Sequence, residues 1–432
     1  MSLRTIRPAA GLVGTARLPG DKSISHRLAI LGALAEGTTE MVNYSSGRDC
    51  RSTLDCLAAL GVRIDQREES EVATVRVEGR GLGGFQAPAR ELDAGNSGST
   101  LRMLAGALAA HPFESVLTGD ESLRRRPMRR VMEPLRQMGA SLDARDGDFP
   151  PLRIRGAALR SIDYVLPVPS AQVKTAVLLA GLHALGTTSV EEPVRTRDHT
   201  EIALEAFGAS VTRERRRVSV VGRTPLRAQR FVVPNDLSAA AFLLVAGLLL
   251  PKTNLVLPQV SLNPTRTALL DFLLAQGAQI KVFDLETHQG ELRANLHVRG
   301  GAILKGGVIE GALTVQLIDE LPVLAVLGTQ TREGLRLRDA AELRVKETDR
   351  LAAIARNLSR FGARVEEFPD GLDIPGRQRL RGAAVSSFGD HRIAMAMAVA
   401  GLVAEGQTTI DDANCADISF PGFFDVLAAL YD

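Results

Sequence analysis

Six times along the chain a short polar turn opens onto a run of small apolar residues that ends at glycine or threonine. The copies begin GDKSISHRLAILGALAEGTT at Gly20, NSGSTLRMLAGALAA at Asn96 and VPSAQVKTAVLLAGLHALGTT at Val168. They continue with PNDLSAAAFLLVAGLLL at Pro234, IDELPVLAVLG at Ile318 and FGDHRIAMAMAVAGLVAEGQTT at Phe388. Successive starts lie roughly 65 to 85 residues apart, longer than the ~20–50 residues of a solenoid unit. Each copy is therefore expected to be a complete small α/β unit, and the chain an assembly of six.

A second element alternates with the first: LAALGVRI at Leu57, LRQMGASL at Leu135, LEAFGASV at Leu204, LLAQGAQI at Leu273 and LSRFGARV at Leu358. Each reads as a helix closed by glycine in the left-handed C′ position, followed by a β-forming pair. The sixth copy, PGFFDVLAALYD from Pro421, is cut short. Short β runs such as Val75 to Val77 and Leu152 to Gly156 fall between, and the alternation argues α/β. The run Ser238 to Leu250 is apolar on every side but shorter than the ~18 residues of a membrane span, which makes it a buried core helix.

At 432 residues the chain exceeds one ordinary core. Three repeats per domain divide it near residue 235, where Pro234, Asn235 and Asp236 follow an arginine-rich stretch. The expected domains are 21–234 and a discontinuous 1–20 plus 235–432, since the strand before Pro19 has no helix of its own. A net charge of +2 demands neither nucleic acid nor an anionic membrane. With no tryptophan and three tyrosines, base-stacking platforms are scarce. Cys50, Cys56 and Cys415 lack metal-ligand spacing and read as reduced thiols of a cytoplasmic protein, with no signal peptide in residues 1–20. The seven histidines are scattered, so no metal is expected.

The chemistry sits in the helix-opening turns. Lys22, Ser23 and Arg27 crowd the first helix start, where free N–H groups already favour anions. By itself this turn reads as a capped surface helix with Lys22 and Arg27 in water. Asn96 to Thr100 with Arg102 is a small-residue turn that backbone and ligand can approach closely. Ser170 and Gln172 open the third helix, Arg126 precedes Pro127, Arg197 stands in TRDH, and Arg392 follows Asp390 and His391. In RVKETDR, Lys346 and Arg350 are spaced to share a helical face with Glu347 one residue round; an exposed salt-bridged helix is the alternative. If these starts converge, they form a cleft for a strongly anionic small molecule, or for two. Asp319 and Glu347 are the carboxylates placed to act as bases there, Asp319 having an N-cap role as its alternative.

LPGDKSISHR, GNSGSTLR, RRRPM, PSAQVKTA, RVKETDR and GDHRIAMA resemble the signatures of the 5-enolpyruvylshikimate-3-phosphate synthase family, over about residue 17 to Phe424. The resemblance implies a two-domain enolpyruvyl-transferase fold of six βαβαββ units, three per domain, closing over a cleft. It implies that Lys22, Ser23, Arg27, Ser170, Gln172, Arg197, Asp319 and Lys346 bind shikimate 3-phosphate. It places phosphoenolpyruvate against Lys22, Asn96, Gly98, Arg126, Gln172, Arg350 and Arg392. The implied reaction is addition and then elimination of phosphate, with Asp319, Glu347 and Lys22 moving protons. It implies no cofactor and a monomer in the cytoplasm, with no nucleic-acid or membrane partner.

Two stretches depart from relatives. Cys415 to Pro421 lacks a lysine that some carry before the last FP pair. DAGNSGSTLRM replaces the NAGTAMRP form of the glyphosate-sensitive class, while Gly98, having no methyl to crowd that inhibitor, argues for sensitivity. Two alternatives stand beside this reading. One is an enolpyruvyl transferase acting on UDP-N-acetylglucosamine, which usually carries a reactive cysteine where residues 113–126 have none. The other is a non-catalytic polyanion or RNA-end binder on the same repeats.

Overall fold

The computed structural model describes residues 2–69 and 72–431; Met1 and Asp432, the ends of the second expected domain, and residues 70–71 lie outside the described residues. Each recurrent apolar run is a helix: Lys22–Leu34, Gly98–Leu108, Ala171–Gly181, Leu237–Leu249, Leu321–Gln330 and His391–Val403. Five of the six open on a side-chain cap. Asp21, Ser97, Ser170, Asp236 and Asp390 each accept a main-chain N–H of the first turn, satisfying donors that a helix start leaves without partners. The second recurrent element closes as its glycines require. Gly61, Gly139, Gly208, Gly277 and Gly362 have φ of 85°, 114°, 89°, 94° and 83°, a region that any Cβ makes costly.

Among the described residues the strands assemble into six small sheets. Three consist of strands 230–232, 38–42, 72–78 and 63–69, then 92–93, 114–118, 149–155 and 141–145, then 163–165, 187–191, 217–221 and 211–214. In each the first pair is parallel and the others antiparallel. The parallel pair needs a crossover, which an apolar helix supplies in the second and third sheets; the last pair is a hairpin. This is the βαβαββ order. The first sheet differs in one respect: its opening strand, Arg230–Val232, comes from about 190 residues beyond its partner Thr38–Val42.

The same exchange occurs at the N-terminus. Val13–Thr15 pairs with Asn254–Ser261 in a fourth sheet, and Arg4–Ile6 with Thr408–Asp411 in the sixth. The single N-terminal strand expected from sequence is thus two short ones. Among the described residues the sixth sheet has three strands where the other five have four.

The chain divides into two compact units. One is Gly20–Val233 with His288–Glu291; the other is Met1–Pro19, Pro234–Thr287 and Leu292–Asp432. Within each, the three apolar helices are buried among the sheets and form the centre of a hydrophobic core. Leu237–Leu249 is buried along nearly all its length, as its all-round apolar sequence requires. In the Gly20–Val233 unit, helices Gly98–Leu108 and Ala171–Gly181 touch backbone to backbone. A Cβ on Gly106 would fall 2.2 Å from the Ala176 carbonyl oxygen, so only glycine permits that approach. Among the described residues no helix is long and apolar enough to cross a membrane.

Candidate active site

Burying three helices side by side brings their capped N-termini to neighbouring positions, and the polar residues of the opening turns follow. In the Gly20–Val233 unit they form two linked clusters. The first is built on Arg27, which is 4% exposed. Its Nε donates to Thr200 Oγ1 at 2.6 Å, Nη1 to the Ser23 carbonyl at 2.8 Å and Nη2 to Thr175 Oγ1 at 3.1 Å. Three of its five N–H groups are thus engaged by protein, leaving two for a ligand. Burial pushes its pKa down to about 10, with Glu201 opposing and Arg197 adding to the fall. Arg197 Nη1 donates to Ser23 Oγ at 3.3 Å, so Ser23 joins the two guanidinium groups. Lys22 pairs with Asp49 at 2.9 Å, and Ser170 caps its helix by accepting from the Val173 N–H at 3.3 Å.

The second cluster surrounds Gly98. Asn96 Oδ1 accepts from Arg126 Nη2 at 2.7 Å, while Asn96 Nδ2 donates to Asp120 Oδ2 at 2.7 Å. Arg102 Nη1 donates to Gln172 Oε1 at 2.7 Å, and Gln172 Nε2 donates to Ser99 Oγ at 2.8 Å. Gln172 therefore has both ends of its amide fixed. A Cβ on Gly98 would meet Arg102 Nη1 at 2.8 Å and Arg126 Nη1 at 3.5 Å, so the missing side chain makes room for two guanidinium groups. Of the basic run around it, Arg124, Arg125 and Arg129 are exposed, and Arg126 alone is turned in and buried.

The other unit carries a third cluster, on Arg350, which is 1% exposed. Arg350 Nε donates to Asp390 Oδ2 at 2.7 Å, and Nη2 donates to Glu347 Oε2 at 2.6 Å. Its Nη1 faces Asp319 Oδ1 at 3.9 Å. Burial works against the charge, but Asp390, Glu347 and Asp319 together hold its pKa above the ordinary arginine value. Arg392 Nη2 lies 3.7 Å from Asp319 Oδ2, placing that carboxylate between two guanidinium groups. Lys346 is half-buried, and burial lowers its pKa while Asp319 opposes the shift.

Two expectations for this cluster need correction. Lys346 and Arg350 do not share a helical face. A 3₁₀ turn, Ala341–Val345, ends before Lys346, and the α-helix begins only at Arg350. Asp349 forces the break by capping that helix, accepting from the Ala352 N–H at 3.1 Å. The exposed salt-bridged helix is excluded with it, because Arg350 is buried. Asp319 is not an N-cap either; Glu320 holds that position and makes no side-chain cap bond.

Sequence reasoning missed several members of these clusters. Asp49 and Asp390 fix Lys22 and Arg350 from 27 and 40 residues away, and Thr175 and Thr200 hold Arg27. Arg102 is named with the Asn96 to Thr100 turn, but its bond to Gln172, 70 residues away, is not. Among the described residues no group of three or more His, Cys, Asp or Glu is arranged to hold a metal ion. The three cysteines are buried and unbridged, and burial pushes the Cys56 and Cys415 thiols up to about 12.

Residues 6–427 match the family model described as EPSP synthase (3-phosphoshikimate 1-carboxyvinyltransferase). The 3-phosphoshikimate 1-carboxyvinyltransferase of Solibacter usitatus is 56% identical over 424 residues, 98% of each chain. That of Pelotomaculum thermopropionicum is 52% identical over 97% of this chain and 96% of its own. Among solved structures, an EPSP synthase from Acinetobacter baumannii superposes with a TM-score of 0.86 at 39% identity, covering 99% of this chain and 98% of that one.

Proposed function

The chain belongs to the EPSP synthase family, the 3-phosphoshikimate 1-carboxyvinyltransferases, and on that footing we propose how its own residues carry the reaction. The enzyme transfers the carboxyvinyl group of phosphoenolpyruvate to the 5-hydroxyl of shikimate 3-phosphate and releases phosphate. This is a step of the shikimate pathway to aromatic amino acids. Both substrates are polyanions, and their mutual repulsion is offset by fixed cations. Ser23 and Arg27 take the carboxylate of shikimate 3-phosphate, and Ser170 and Arg197 its phosphate. Gln172 lies between the substrates, and Asp319 and Lys346 meet the ring hydroxyls. Lys22, Asn96, Gly98, Arg126, Arg350 and Arg392 line the phosphoenolpyruvate position, with arginine forks matching phosphate and carboxylate.

Addition begins when Asp319 takes the proton of the 5-hydroxyl, whose oxygen attacks C2 of phosphoenolpyruvate. The Lys22 ammonium delivers a proton to C3, giving a tetrahedral ketal phosphate. Glu347 is the weaker candidate for that delivery, because its 2.6 Å bond to Arg350 favours the ionised carboxylate. In elimination, Glu347 takes a proton back from C3 and the C–O bond to phosphate breaks. The leaving phosphate receives the proton that Asp319 held, Glu347 gives its proton up to water, and Lys22 regains one from water. Protons balance over the cycle, and no group beyond these side chains and water is needed.

The observation that carries this reading is the setting of Asp319, a carboxylate flanked by two arginines at ion-pair distance. The test is phosphate release from phosphoenolpyruvate with either shikimate 3-phosphate or UDP-N-acetylglucosamine as acceptor. Release with shikimate 3-phosphate alone is expected. Release with the nucleotide sugar alone would overturn the acceptor, and silence with both would leave a non-catalytic polyanion binder.

A further inference from the structure

Lys174 is a charged side chain in a place where charge is costly, and the reaction as described makes no use of it. It lies in the apolar helix Ala171–Gly181 with its side chain fully buried. Its Nζ sits 2.9 Å from Glu192 Oε2 and 2.7 Å from Glu201 Oε1, carboxylates whose side chains are each 5% exposed. Burying a lone ammonium is costly, and two carboxylates at contact distance offset that cost.

The two glutamates bracket one irregular segment. Between Glu192 and His199 the main chain forms neither helix nor strand. Arg197 stands within it. At its start, Glu192 Oε1 accepts from the Thr196 N–H at 3.3 Å and from the Thr196 hydroxyl. At its end, Glu201 belongs to the first turn of helix His199–Ala206. One lysine therefore ties both ends of the loop to the helix that also carries Ser170 and Gln172. The neighbouring residues repeat the tie: Thr175 and Thr200 share a 2.5 Å hydrogen bond, and both accept from Arg27.

Charge points the same way. One cation against two carboxylates leaves a surplus negative charge, and Glu201 Oε2 has no hydrogen-bond partner among the described residues. Glu201 is the largest influence sustaining the charge of Arg27, which Arg197 opposes. The surplus is thus placed where two guanidinium groups stand close together and would otherwise repel.

We propose that Lys174, through Glu192 and Glu201, is a positioning residue that fixes the 192–198 loop and so aims Arg197 at the phosphate of the acceptor substrate. The proposal rests on the assignment of Arg197 to that phosphate. Lys174 touches no substrate; it acts through Arg197.

The test is the affinity for shikimate 3-phosphate, measured by calorimetry, of Lys174→Met and Glu192→Ala, each with Arg197 intact and with Arg197→Ala. Glu192→Ala leaves Lys174 and Glu201 as a charge-balanced pair, so it keeps the test open if Lys174→Met fails to fold. With Arg197 intact, each variant is expected to bind about tenfold more weakly, with the affinity for phosphoenolpyruvate within about twofold. With Arg197→Ala already present, the further loss is expected to be under about twofold. Equal losses in both backgrounds, or equal losses for both substrates, would make Lys174 merely structural and overturn the proposal. Hydrogen exchange of the 194–198 amides, without ligand, separates the two premises. Faster exchange in Glu192→Ala is expected, and unchanged exchange would remove the tie itself. Faster exchange with no effect of Arg197→Ala on binding would overturn the substrate assignment of Arg197 instead.

Discussion

Arg392 donates from Nη1 to the main-chain carbonyl of Asp319 at 2.8 Å, while its Nη2 lies 3.7 Å from the same residue's carboxylate. One guanidinium thus fixes the backbone of the proposed base and sets its field. The arginine's main chain is itself fixed: the Arg392 main-chain N–H donates to Asp390 Oδ1 at 2.8 Å, and Asp390 also holds Arg350. Asp390 is a cap, an ion-pair partner and the link between the two arginines on either side of Asp319.

Replacing Arg392 by lysine keeps the charge but cannot reproduce a fork that contacts backbone and carboxylate together. The expected outcome for Arg392→Lys is a fall of about tenfold or more in kcat/KM for phosphoenolpyruvate, the scale of one lost charged hydrogen bond. Steady-state kinetics with each substrate varied in turn will read it. An unchanged apparent affinity for phosphoenolpyruvate would remove the bidentate assignment.

Asp319→Asn tests the base. The amide is nearly isosteric, so the packing around Arg350 and Arg392 should persist, but it cannot accept the proton of the 5-hydroxyl. Turnover is expected to fall by about 100-fold or more while shikimate 3-phosphate binding stays within a few-fold. Binding by calorimetry beside single-turnover kinetics separates the two effects. Full activity would assign the base elsewhere.

Much of the fold could be read from the sequence because its signals are local. A capped apolar run, a glycine where φ must be positive and a β-forming pair beyond it each depend on a few adjacent residues. Gly139 at φ 114° and the Asp21 cap on the Ile24 N–H are examples. What sequence did not carry were partners brought together by folding. Arg27 meets Thr200 across 173 residues, and nothing in SISHR or RTRDHT announces it. The RVKETDR expectation failed for a local reason: i, i+4 spacing was read through Asp349, a residue better suited to starting a helix than continuing one. The residues expected at the site are those that share a turn with a helix start. Asp49 and Asp390 were missed because their role depends on the distant cation each one holds.

Gly98→Ala should act through its neighbours rather than through the backbone, which is helical there. The new methyl would lie 2.8 Å from Arg102 Nη1, so that flexible end must shift, and with it the bond to Gln172 Oε1. Arg126 Nη1, at 3.5 Å, is in ordinary contact and need not move. The expected outcome is a KM for phosphoenolpyruvate raised by about tenfold, with stability little changed. The double variant Gly98→Ala/Arg102→Lys relieves the clash and should recover part of the loss. A rise in the KM for shikimate 3-phosphate alone would show that the Gly98 turn serves the other substrate.

Acid should destabilise the Gly20–Val233 unit through the buried His26 and His111 and the half-buried His183. Burial lowers the pKa of His26 well below its ordinary value, with Lys22 and Arg27 adding to the fall. Burial also lowers His111, against the opposing Ala107 carbonyl, and brings His183 to about 3, aided by His111. A histidine depressed in the folded state takes up its proton only on unfolding. Its stabilising effect is therefore present above about pH 6.5 and is lost as pH falls from there toward the folded pKa. Each contributes a slope of up to about 1.4 kcal/mol per pH unit in that window. Denaturant unfolding at pH 7, 6 and 5 should show stability dropping with pH, and His183→Leu should flatten the decline by about one histidine's share. A slope unaltered by the substitution would mean that His183 is protonated in the folded chain at pH 5.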